Sequence, residues 1–128
     1  MKTIQAMVLA LALGGAAAAH AEQPIERTDL IKNDIDVPGR EIVQVRVDIA
    51  PGVLAPNHSH PGEEVAFVLE GTLEYKLEGR EPVTLKAGQS LFIPSGVVHS
   101  ARNVGSGRAS ELATYIVRKD EALVVPAK

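Results

Sequence analysis

The sequence predicts a single all-β domain, an antiparallel barrel or sandwich. Three observations predict it. Apolar residues recur at every second position in several short segments, as in Val43, Val45, Val47 and Ile49. Glycine and proline punctuate the chain every eight to twelve residues or so. After residue 21 no stretch sustains a helical period with caps at its ends.

The elements follow in order. Residues 1–21 read as an export signal. Lys2 gives the positive start, Ile4 to Leu13 form a short apolar run, Gly14-Gly15 break it, and Ala19 and Ala21 have the A-x-A spacing of a cleavage site. That run is too short to span about 30 Å of hydrocarbon. The mature chain is therefore expected to begin near Glu22, in the periplasm or outside the cell. Residues 22–40 are polar with scattered Ile and Leu and read as an irregular arm or short edge strand closed by a Val37-Pro38-Gly39 turn. A domain over 41–128 follows. Glu41 to Ile49 alternates as a half-buried strand, with Gln44, Arg46 and Asp48 on the polar face. Pro51-Gly52 and Pro61-Gly62 mark bends. Val65 to Leu69 is a continuous apolar run suited to a strand buried on both faces, and Thr72 to Glu78 alternates again. Gly79-Arg80 is a hairpin turn candidate before Val83 to Leu85. Further strands are expected at Ser90 to Ile93, Val97 to Arg102 and Glu111 to Val117.

Composition narrows the function. The chain has 128 residues, enough for one domain with one modest core. It has no cysteine, so no disulfide holds the fold even in an oxidising compartment. Without Lys2, 12 basic residues face 16 acidic ones, a formal charge of −4 on the mature chain. No contiguous basic patch exists, which argues against nucleic acid and anionic membrane as partners.

Of four histidines, His20 leaves with the signal, and His58, His60 and His99 remain. One residue separates His58 from His60, so on a strand both would face the same side. Glu64 follows at a further even step. Imidazoles with one carboxylate suit one divalent ion such as Mn²⁺, Fe²⁺, Ni²⁺, Cu²⁺ or Zn²⁺. An H-x-H pair alone does not distinguish a metal site from surface or hydrogen-bonded core histidines.

The surrounding residues carry more. Gly52-Val-Leu-Ala-Pro-Asn-His58-Ser-His60-Pro-Gly-Glu-Glu64-Val-Ala-Phe-Val-Leu-Glu-Gly71 resembles the first cupin motif, and Gly88-Gln-Ser-Leu-Phe-Ile-Pro94-Ser-Gly96-Val-Val-His99-Ser-Ala-Arg-Asn103 resembles the second. All ten fixed positions match in order, with the short intermotif region of compact bacterial cupins between them. The resemblance covers Glu41 to about Val117. It implies a six-to-eight-stranded jelly-roll β-barrel with a metal near its open end, held by His58, His60, Glu64 and His99. Gly52, Gly71, Gly88 and Gly96 are read as turn residues or positive-φ positions. Pro94 stiffens the turn before His99, and Asn103 ties off a local turn.

Four ligands would fill a tetrahedral zinc site, whereas an octahedral ion would keep two positions open. Many similar small cupins are oxygenases of the quercetinase or diketone-cleaving kind. The resemblance therefore implies an exported, metal-dependent dioxygenase acting on a small oxygen-rich organic substrate, with Glu64 able to loosen and serve as general base. A non-catalytic module that binds metal or a small ligand is the alternative, and a metal-dependent isomerase, cyclase or decarboxylase a third reading. Phe67, Tyr75, Phe92 and Tyr115 are assigned to the core, and Arg46 and Glu63 to the surface. Ala66 is expected to share the inward face with Glu64 and leave space beside the metal. A homodimer is common among similar barrels, and the 22–40 arm could add a strand to a partner's sheet.

Overall fold

The computed structural model describes residues 23–128, so the expected signal segment 1–21 lies outside the described residues. Ten strands follow in chain order: β1 (Ile25–Asp34), β2 (Arg40–Ile49), β3 (Leu54–Ser59), β4 (Gly62–Glu70), β5 (Thr72–Leu77), β6 (Val83–Lys86), β7 (Ser90–Ile93), β8 (His99–Asn103), β9 (Ala109–Arg118) and β10 (Val125–Pro126). They form two five-stranded sheets with orders β1-β2-β9-β4-β7 and β10-β3-β8-β5-β6, every pairing antiparallel. This is the jelly-roll barrel the motifs implied, with ten strands where six to eight were expected, because β1 and the short β10 each extend a sheet at its edge. No helix among the described residues is long and apolar enough to cross a membrane.

Period-two patterning decides what the barrel encloses. Val43, Val45, Val47 and Ile49 of β2 turn inward beside Ala109, Ala113, Tyr115 and Val117 of β9, with Ala66 and Val68 of β4 in the same sheet. From the other sheet come Leu73, Tyr75 and Leu77 of β5, Leu85 of β6 and Ala101 of β8.

Two expectations need correction. The 22–40 arm is an edge strand, the second of the two alternatives, and is neither irregular nor short: β1 pairs with β2 from Ile25↔Ile49 to Asp34↔Glu41, with one bulge between Asp29 and Ile31. Backbone hydrogen bonding holds it there, and its side chains past Ile25 are exposed, so alternation of burial left no signature. The strand joins its own chain's sheet, and the 37–39 turn that returns it is closed by the Arg40 N–H donating to the Val37 carbonyl at 3.1 Å. The second correction concerns β4. Val65, Phe67 and Leu69 are 44%, 36% and 39% exposed, while Glu64, Ala66 and Val68 point inward. An antiparallel sheet commonly packs one face and leaves the other to solvent, and here the outer face is apolar. Phe92 beside Val65 on β7 shares that face and is likewise exposed, so neither phenylalanine belongs to the core.

Glycine matters most at β4. A Cβ on Gly62 would lie 2.0 Å from the Ile116 carbonyl oxygen, so no other residue lets β4 meet β9 at this register. At Gly71 φ is +76°, and a Cβ would also meet the Arg108 carbonyl oxygen at 2.8 Å. Gly52, Gly88 and Gly96 have positive φ as expected.

Candidate metal centre

The four candidate ligands come from three strands and one link. His58 is on β3, His60 in the link to β4, Glu64 on β4 and His99 at the start of β8. His58 and His99 are register partners across β3 and β8, although a bulge between Ala55 and His58 interrupts that ladder. The Pro94-to-Val97 turn places His99. Its Val97 N–H donates to the Pro94 carbonyl at 3.2 Å, and the Gly96 N–H reaches the His60 carbonyl at 3.2 Å. Asn103 secures the far end of β8: its amide donates to the Ile49 and Gly107 carbonyls, both at 2.8 Å, and accepts from the Gly105 N–H at 2.9 Å.

The three imidazoles form a tight triangle, with ring centroids 4.9 Å (His58–His60), 4.3 Å (His58–His99) and 5.1 Å (His60–His99) apart. One ring nitrogen from each lies within 4.8 Å of the others. Backbone carbonyls fix the tautomers. Nδ1 of His58 is 2.7 Å from the Pro56 oxygen, Nδ1 of His60 2.6 Å from that of Leu123, and Nδ1 of His99 2.9 Å from that of Val97. A carbonyl only accepts, so each Nδ1 carries a hydrogen, and in the neutral ring each Nε2 then presents a lone pair. This is the arrangement by which metal-binding histidines are oriented.

Glu64 completes the cluster. Its Oε2 is 3.0 Å from His60 Nε2 and 3.2 Å from His99 Nε2. His60 Nε2 and Glu64 Oε2 are nonetheless buried without a hydrogen-bond partner. Lone pairs that face each other need a cation between them, so the donor set fits a divalent ion. Burial would raise the Glu64 pKa, but His60 and His99 outweigh it and hold the carboxyl at about 2. Burial lowers that of His58. Burial would lower the His99 pKa, but the adjacent Glu64 carboxylate and the Val97 carbonyl outweigh it and raise it.

A cavity of about 320 Å³ opens onto His58, Glu64 and His99. Val47, Ala55, Ala101 and Val124 give it apolar walls, and Tyr75, Glu111, Tyr115 and Arg27 supply polar groups. Tyr115 is the register partner of Glu64 and packs on His60, ring centroids 4.6 Å apart. Arg27 Nη2 donates to its hydroxyl at 3.4 Å.

Sequence reasoning found the histidine cluster and missed this wall. Tyr75 and Tyr115 are buried, as expected, yet they also face the cavity. Glu111 was legible in principle, because it shares its parity on β9 with Ala113, Tyr115 and Val117. Arg27 had no sequence signal. Arg46 binds Asp48 through two guanidinium nitrogens at 3.1 Å, away from the cavity. Asp48, placed by alternation on the polar face, is instead buried among Arg46, Arg108 and Ser110. Ala66 is inward but is not part of the cavity wall.

A small double-sheeted β-barrel with three histidines at one end defines the class. The chain belongs to the cupin family, whose cupin domain matches residues 45–115. It is 38% identical over 91 residues to germin-like protein subfamily 2 member 1 of Arabidopsis thaliana, covering 65% of this chain and 42% of that protein. A 51-residue stretch is 43% identical to the dimethylsulfoniopropionate lyase DddQ of Ruegeria pomeroyi, covering 40% of this chain and 25% of the lyase. The crystal structure of that lyase superposes with a TM-score of 0.60 at 32% identity, over 67% of this chain and 43% of the other. An oxalate oxidase in complex with glycolate superposes with a TM-score of 0.65 at 25% identity, over 80% and 55% respectively. The chain spans about two fifths of the length of the germin-like relatives it matches.

Proposed function

We propose that this chain is a metal-dependent enzyme acting on a small oxygen-rich organic molecule, with dioxygenase chemistry as the first reading. The observation that carries it is the pair His60 Nε2 and Glu64 Oε2, buried without partners beside an open cavity. A histidine cluster that served only packing would not leave lone pairs facing one another. His58, His60 and His99 would hold the ion through Nε2, with Glu64 as the carboxylate ligand. The ion would supply Lewis acidity at a bound oxygen. The cavity admits a small molecule, and its apolar walls exclude bulk water around it. Arg27, the one Lys or Arg on the described cavity wall, would face an anionic portion of the substrate. Glu64 would serve as general base when it loosens from the ion.

The likeness to an oxalate oxidase supports an oxygen-dependent reaction. The likeness to a dimethylsulfoniopropionate lyase, together with a buried carboxyl and tyrosine on the cavity wall, favours a second reading, a lyase that moves a proton and consumes no dioxygen. The deciding experiment screens diketones, flavonols, enediols and small organic acids against the metal-loaded protein while oxygen uptake is recorded. The first reading expects uptake with turnover, and the second expects turnover without it. Absence of turnover and of any spectral response to chelating substrates would leave only a binding module.

A further inference from the structure

Of the polar side chains on the cavity wall that would hold no metal, Arg27, Asn57, Tyr75, Glu111 and Tyr115, Glu111 is the one carboxyl. Glu111 on β9 is 7% exposed, yet it faces the cavity that the histidines share. Its register partners are Val47 on β2 and Val68 on β4, so hydrocarbon flanks it on both sides within the sheet. The facing sheet supplies its partner: the Tyr75 hydroxyl, itself on a residue 1% exposed, donates to Glu111 Oε2. No cationic side chain forms a salt bridge with Glu111 among the described residues. A carboxyl so placed ionises reluctantly, since burial disfavours the charged form.

The charged and titratable groups around it can be named from every side. Burial and Glu64 on β4 raise the Glu111 pKa, while Tyr75 on β5, His99 on β8 and Arg27 on β1 lower it, leaving it at about 7. Tyr115, four residues along β9, adds a neutral hydroxyl. Such a carboxyl can give or take a proton near neutral pH, the property asked of a general acid or base.

We propose that Glu111 is the proton-transfer residue of this cavity and that Tyr75 positions it, with the carboxyl meeting the part of the substrate that points away from the three histidines. As acid, Glu111 breaks its own O–H bond and passes the proton to a substrate atom gaining negative charge. The Tyr75 hydroxyl, still donating to Oε2, steadies the carboxylate that forms. As base the same proton moves the other way. No oxidant or reductant enters the step. The inference rests on the reading of the cavity as an active site, but it concerns a residue that holds no metal.

Two measurements test it without a known substrate. In infrared spectra of the metal-free protein, a carbonyl band of a buried neutral carboxyl should titrate near pH 7 and vanish in Glu111→Gln. Tyr75→Phe removes a donor to the carboxylate, so the midpoint should move to higher pH. In Co²⁺-loaded protein, catechol loses protons as it chelates. At pH 8, Glu111 should take one of them up, so the wild type should release one proton fewer per bound catechol than Glu111→Gln, with metal content unchanged. Equal proton release in the two, or an infrared spectrum with no such band, overturns the proposal. A protein that binds neither Co²⁺ nor catechol would instead refute the metal-enzyme reading, and the infrared titration would still decide whether Glu111 exchanges its proton.

Discussion

His60 Nε2 and Glu64 Oε2 lie 3.0 Å apart, both buried, and a neutral imidazole has no hydrogen to offer the carboxylate there. The Leu123 carbonyl fixes this by engaging the His60 Nδ1–H, which leaves Nε2 as a lone pair aimed at a carboxylate. An ion between them would relieve the contact.

Each imidazole is then needed to retain the ion. His58→Ala, His60→Ala and His99→Ala should lose most bound metal, because among the described residues no cysteine or further histidine can replace the missing donor. Metal-loaded wild type should melt higher than these variants, since a ligand specific for the native state adds about 4 kcal/mol at a thousand times its Kd. Glu64→Gln should keep a measurable share of metal and lose activity. If Glu64→Gln and His99→Ala lose metal equally, Glu64 is chiefly a structural ligand. Metal content per chain beside turnover makes the comparison.

The two buried carboxyls give opposite pH dependences in the metal-free protein. Glu64 is depressed from 4.5 to about 2 in the fold, so its stabilising contribution is present above 4.5 and lost as pH falls toward 2. Glu111 is raised from 4.5 to about 7, so the protonated carboxyl favours the fold below 4.5, and that advantage is lost as pH rises through 7. Denaturation of the metal-free protein should show the wild type losing stability relative to Glu111→Gln from pH 4.5 to 7, by an amount on the order of 3 kcal/mol. The same pH dependence in both would place the titration elsewhere.

Gly62→Ala should be costly, because its methyl group would meet the Ile116 carbonyl at 2.0 Å beside the site. A loss on the order of 3 kcal/mol is expected in chemical denaturation. Gly107→Ala, with nothing within 4 Å of its Cβ, should change stability little. Similar losses in both would mean that β4 and β9 can part without penalty.

Export is tested by N-terminal sequencing of the secreted or periplasmic protein, which should begin near Glu22. Recovery of Met1 from a membrane fraction would turn the signal into an anchor.

The histidine cluster was legible in the sequence because motif spacing encodes it directly: His58 and His60 alternate, and Pro94 and Gly96 announce the turn that delivers His99. Strand β2 was legible because Val43, Val45, Val47 and Ile49 are buried at every second position. What escaped lacked such contrast. Strand β1 is fixed by backbone pairing while its side chains stay wet. In β4 the outward Val65, Phe67 and Leu69 are as apolar as the inward residues, so the run hid which face was packed. The cavity wall combines Arg27 from β1, Tyr75 from β5 and Glu111 from β9, and only the closure of two sheets brings them together.

The central claim is that His58, His60, His99 and Glu64 hold one divalent ion with positions left open to the cavity. Electron paramagnetic resonance of the Cu²⁺-loaded protein during titration with catechol tests it most directly. The account predicts one ion per chain, hyperfine coupling to the imidazole nitrogens that disappears in step with the His→Ala variants, and a spectrum that shifts as catechol binds. Copper without nitrogen coupling, or a nitrogen-coupled spectrum that no chelator moves, would contradict it.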